Sequence, residues 1–160
     1  MLKMVPEIDE TQGIALSDVL VAFTRLRREN DLLVAALARQ HGMHAPDFRA
    51  LEFVRLTPDV TPRSLAEYLA HSLSATTTMI DRLVAAGYAQ RSPNPEDGRS
   101  VRLALTSEGI EVVDEATALY TAAFEASVPI EGRDEVAATF IHIADALAGV
   151  DVDRHSPAHA

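Results

Sequence analysis

The chain has 160 residues, 48% of them hydrophobic and only 5% aromatic, with no Cys, no Trp and a formal net charge of −10. That length suits one domain with helical extensions, around a core that must be mostly Ala, Leu and Val. The missing cysteine excludes disulfides, thiolate catalysis and Cys-ligated zinc.

Residues 1–14 are polar and broken by Pro and Gly, which predicts a flexible arm. The opening MLKMVPEIDE has no apolar run behind its lysine and does not resemble a signal peptide. From Leu16, apolar side chains recur at Val19, Leu20, Phe23, Leu26, Leu33, Val34 and Leu37. That is the pattern of one long amphipathic helix ending near Gly42. The longest apolar run, Leu32 to Ala38, is far short of the roughly 20 residues that span a bilayer. The expectation is a soluble, cytoplasmic protein with no membrane partner.

A second helix opens around Pro46, places Phe48, Leu51 and Val54 on one face and stops before Pro58. A third opens in TPRSLAEYLA (61–70). Either Thr61 caps it ahead of Pro62, or Ser64 and Glu67 form a capping box, and spacing leaves both starts open. The fourth, in SATTTMIDRLVAAGY (74–88), is closed by Gly87. The period then changes. Val101, Leu103 and Leu105 alternate with Ser100, Arg102 and Ala104, as in a strand with one buried face, and Tyr88 to Ser92 is its expected partner. Pro93, Pro95 and Asp97-Gly98 mark the turn between them. Thr106 can cap a fifth helix carrying Glu108 in its first turn and Val112, Val113, Ala116, Leu119, Tyr120, Ala123 and Phe124 on its apolar side. Pro129 and Gly132 interrupt the chain before a last helix with Val136, Phe140, Ile143 and Leu147 facing a partner. Residues 150–160 read as a disordered tail.

Net acidity argues at first against a nucleic-acid partner, but its distribution matters more. Residues 1–60 hold nine acids and seven bases, residues 61–109 five and five, and residues 110–160 ten and two. The middle is neutral, and the excess acid lies at the C-terminal end.

That neutral middle runs helix, turn, helix, then a hairpin rich in Arg. In a helix-turn-helix the second helix enters the major groove and meets base edges near its N-terminus. Such a helix needs an apolar inner stripe and a small, polar outer face. Thr76, Met79, Ile80, Leu83 and Gly87 fall on one side of residues 74–87, while Ser74, Ala75, Thr77, Thr78, Asp81 and Arg82 fall on the other. Hydroxyls can bond phosphates or base edges, and a threonine methyl can touch a thymine methyl. The same threonines could instead cap the helix or bond the local backbone. Ser72, Ser74, Thr77 and Thr78 are therefore candidate DNA contacts, with Arg82 suited to a phosphate. Arg91, Arg99 and Arg102 cluster on the hairpin, where an arginine can enter a narrow minor groove or hold the backbone.

EDGRSVRLALTSEG (96–109) resembles the wing signature of the MarR family of winged helix-turn-helix regulators. DRLVAAGYAQR (81–91) is similar to the end of that family's recognition helix and its first wing strand. LAEYLAHS (65–72) and PDFRAL (46–51) resemble the segments upstream. The resemblance implies a mainly α fold with a short β-hairpin wing. Residues 43–105 would be the DNA-binding domain, and residues 15–42 with 106–149 the helical dimerisation region. It implies a homodimer reading two half-sites of double-stranded DNA, Arg99 in the minor groove oriented by Asp97, and release by a small, often aromatic effector. No cofactor, metal or enzyme activity is expected, since Gly42 breaks the His41–His44 pair, and a repressor is expected before an activator because repression needs only an occupied promoter. Thr78 stands where the family often has Arg, His44 where a Thr or Ser cap is usual, His71 where an apolar residue is common, and Gly98 where a further Arg is frequent. Fewer arginine contacts predict modest affinity and a shallow salt dependence.

Two rival readings come from other classes. A small helical metal-dependent enzyme would use His41, His44 and His71 with a carboxylate such as Asp47, but no nucleophile pattern, phosphate loop or HExxH spacing accompanies them. A dimeric protein-interaction module would keep the winged fold without binding DNA.

Overall fold

The computed structural model describes residues 15–93 and 101–150. Six helices and one hairpin account for most of them, in the order α1 (Leu16–Gln40), α2 (Ala45–Leu56), α3 (Pro62–Leu69), α4 (Leu73–Ala85), β1 (Ala89–Pro93), β2 (Val101–Leu105), α5 (Ser107–Ser127) and α6 (Arg133–Ala148). A single 3₁₀ turn, Ile130–Gly132, precedes α6. None of the described helices is long and apolar enough to cross a membrane. The chain divides into a unit ending at Asp114 and a second beginning at Glu115.

The first unit is organised by three caps. Asp47 in the first turn of α2 accepts from the backbone N–H of His44, which occupies the N-cap position. Thr61 caps α3: its Oγ1 accepts from the Ser64 N–H at 3.2 Å, and Ser64 Oγ accepts from the Thr61 N–H at 3.0 Å. Of the two starts open to the sequence, the structure therefore has the one at Thr61, with Ser64 as its reciprocal partner. Glu67 pairs with Arg63 one turn back instead. Ser72 caps α4 by accepting from the Ala75 N–H at 3.2 Å. Between α3 and α4 the chain turns on Ala70, which holds φ 52°, a left-handed conformation that costs a residue with a Cβ about 1–2 kcal/mol.

The interior collects Val34, Leu37 and Ala38 from α1, Phe48, Ala50 and Leu51 from α2, Leu65 and Ala66 from α3, and Met79, Ile80 and Leu83 from α4. Val60, Ala89 and Leu103 close it from the hairpin side. Phe53 of α2 stacks on Tyr68 of α3 with ring centroids 4.1 Å apart.

The strands pair antiparallel, with Ala89 opposite Leu105 and Arg91 opposite Leu103. Of the expected inner row, Leu103 is buried while Val101 and Leu105 are half-buried. The free edge of β2 is partly covered: the Leu103 N–H donates to the Val60 carbonyl at 2.8 Å. Thr106 then ties the hairpin to α5. Its N–H donates to the Tyr88 carbonyl, its hydroxyl donates to the Gly87 carbonyl at 2.6 Å, and the same oxygen accepts from the Gly109 N–H. Gly109 is required by contact rather than by dihedral angle. A Cβ there would lie 2.0 Å from the Tyr88 carbonyl oxygen.

In the second unit Phe124 of α5 and Phe140 of α6 meet edge to face at 6.2 Å. No residue of α6 is buried, although Phe140, Ile141, Ile143 and Leu147 lie on it.

Candidate nucleic-acid interface

The helix-turn-helix is built by α3, the Ala70–Ser72 turn and α4. Thr76, Met79, Ile80 and Leu83 bury one side of α4, which leaves Leu73, Ser74, Thr77, Thr78 and Asp81 exposed on the other. The threonines explain their own presence at a helix front. Each donates its hydroxyl proton to the carbonyl four residues back: Thr76 to Ser72 at 3.0 Å, Thr77 to Leu73 at 2.8 Å and Thr78 to Ser74 at 3.1 Å. Thr76 is wholly buried, so its bond satisfies a core hydroxyl. Thr77 and Thr78 keep their oxygen lone pairs and methyl groups at the surface. Ser72 serves first as a cap. Leu73 escaped the sequence reading, although it stands at the first helical position with 55% of its surface exposed. Its place one turn before Thr77 was the available signal.

Arg82, Arg91 and Arg102 are already engaged. Arg82, expected to hold a phosphate, turns to α2 and places Nη2 2.6 Å from Oδ1 of Asp47. Asp47 is 4% exposed, so its charge has little water to fall back on and the guanidinium is its principal compensation. The carboxylate that a histidine-based enzyme would need is spent on this pair. Arg91 lies opposite buried Leu103, on the inward face of the hairpin, and reaches Asp81 of α4 at 2.7 Å. Arg102 points from the other face to Asp59 at 2.6 Å. Asp81 and Asp59 are mostly exposed, so a phosphate can replace either carboxylate at a cost of about 1 kcal/mol or less. Asp97 and Arg99 lie outside the described residues.

The three histidines singled out in the sequence have separate surroundings. His44 has Nδ1 3.4 Å from Asp47 Oδ2, the His41 carbonyl accepts from the Tyr88 hydroxyl at 3.2 Å, and His71 is exposed in the turn. Among the described residues no three His, Asp or Glu side chains are grouped to hold a metal ion.

Residues 41–100 match a family model described as MarR family. The multiple antibiotic resistance protein MarR of Escherichia coli (strain K12) is 37% identical over 90 residues, covering 56% of this chain and 62% of that protein. The chain thus spans less than two thirds of the length of the relatives it matches. A crystal structure of a mutant E. coli MarR complexed with operator DNA aligns with a TM-score of 0.55 and 27% identity, over 84% of this chain and 99% of that one. Rv1404 from Mycobacterium tuberculosis aligns with a TM-score of 0.65 and 24% identity, over 88% and 98%, a likeness of fold. The fold and the match over residues 41–100 together make this region similar to the winged helix-turn-helix domain of MarR-family proteins.

Proposed function

We propose that the chain is a DNA-binding transcriptional regulator, a repressor rather than an activator. It binds a palindromic operator in the cytoplasm as a homodimer and is released by a small, often aromatic, effector. The observation that carries the reading is the outer face of α4, where Ser74, Thr77 and Thr78 stand exposed behind a Ser72 cap on a helix otherwise locked into the core. Ser72 and Ser74 meet phosphate at the helix N-terminus, and Thr77 and Thr78 meet base edges. Arg91 and Arg102 exchange their aspartates for phosphates, and Arg99 enters the minor groove beside Asp97. Arg82 acts by holding α4 to α2. An operator-bound E. coli relative supports the DNA partner. The exposed apolar residues Leu16, Val19, Leu20 and Leu26 of α1, with Phe140 and Leu147 of α6, support a partner chain over the terminal helices. Repression follows from occupying a promoter, whereas activation requires a further contact with polymerase.

Selection of random duplex DNA by the purified protein tests this. The expected product is a palindrome with two half-sites about one helical turn apart, bound with a shallow salt slope because few arginine contacts are assigned to the DNA. Arg99→Ala should weaken binding to every sequence alike. Equal, weak binding to all duplexes would point instead to a dimeric protein-interaction module that keeps the winged fold.

A further inference from the structure

Protein helices read guanine with Arg or Lys and adenine with Asn or Gln, because those side chains match two groups on one base edge. From Leu73 to Asp81, α4 contains none of these four residue types. The next cation along, Arg82, is held by Asp47. Two of the hydroxyls on the exposed face have given their protons to the helix backbone, through the bonds from Thr77 to Leu73 and from Thr78 to Ser74. What these residues offer outward is methyl groups and oxygen lone pairs. Leu73, in line with Thr77, extends the apolar part of the surface.

We infer that, given the DNA-reading role proposed above, α4 recognises thymine through its C5-methyl group, with Leu73, Thr77 and Thr78 forming the surface that receives it. The thymine methyl is the apolar feature of the major groove. Guanine is refused by the same surface, since its N7 and O6 would lose water and gain no donor. Selectivity of this kind needs no arginine, which is why Thr78 can occupy a position where the family often has one.

The test uses the duplex that the full chain selects from random DNA, with each thymine replaced in turn by deoxyuridine, which lacks only the methyl. Binding should weaken about three- to fivefold at each thymine facing α4, the loss expected for one buried methyl. The paired change Thr77→Ser and Thr78→Ser keeps both hydroxyls and their backbone bonds but removes two methyls. It should erase most of the thymine-over-deoxyuridine preference while leaving thermal unfolding near that of the wild type. Salt-sensitive binding with equal affinity for thymine and deoxyuridine duplexes overturns the methyl assignment and leaves DNA reading intact. Absence of salt-sensitive binding to any duplex overturns both.

Discussion

Helices α4 and α6 are similar in length and both carry a run of large apolar residues, but they end in opposite states. The apolar side of α4 disappears into the first unit, where Met79, Ile80 and Leu83 are nearly inaccessible to water. On α6, Phe140, Ile141, Ile143 and Leu147 remain exposed, and the helix has no buried residue. A chain seldom leaves so many large side chains exposed together without a partner for them. The contrast fits the two roles proposed above: on α4 the core holds one side and leaves the polar side available to DNA, while α6 keeps its apolar side available to a partner chain.

The largest expected effect strikes the closed region. Gly109→Ala drives a Cβ into the Tyr88 carbonyl and should cost the first unit more than about 3 kcal/mol, read as a fall in its thermal unfolding midpoint. Next comes Arg82→Ala, which strands buried Asp47 and should cost about 2 kcal/mol by denaturant titration. Replacing both partners, as Asp47→Leu with Arg82→Met, should recover most of that loss. Phe140→Glu probes the open region. It should reduce self-association about tenfold or more by sedimentation, leaving the helical circular dichroism signal intact. A dimer that survives unchanged would mean that α6 is not part of the interface.

The smallest effect is a pH dependence. Burial raises the Glu52 carboxyl above its ordinary value of 4.5, against the opposing pull of Arg49. The folded state thus holds this proton more tightly than the unfolded chain. The stability gained is complete below the ordinary value and is lost as pH rises through the raised one. Glu52→Gln should therefore unfold slightly later than the wild type near neutral pH and alike under strong acid.

Much of this arrangement was readable from the residues. The change of period at Val101 placed the hairpin, and the alternation of small polar and apolar residues over 74–87 separated the two sides of α4. The start of α3 was not readable, because a Thr61 cap ahead of Pro62 and a Ser64–Glu67 box were both compatible with the spacing. The reciprocal bonds between Thr61 and Ser64, with Thr61 extended at ψ 161°, decide between them. The fate of the arginines was also hidden. Asp47 and Arg82 are 35 positions apart, and no local pattern announces a pair made by packing α2 against α4. Of the two readings open for the threonine hydroxyls, the structure has the local one, each proton going to the carbonyl four residues back.

The most direct test of the central claim is the ratio of affinities for the selected duplex and a scrambled one, measured for the wild type and for Thr77→Asp with Thr78→Asp. If the outer face of α4 reads DNA, carboxylates there should collapse the ratio toward one while the protein still unfolds cooperatively near the wild-type temperature. An unchanged ratio would contradict the account, since sequence preference would then reside elsewhere in the molecule.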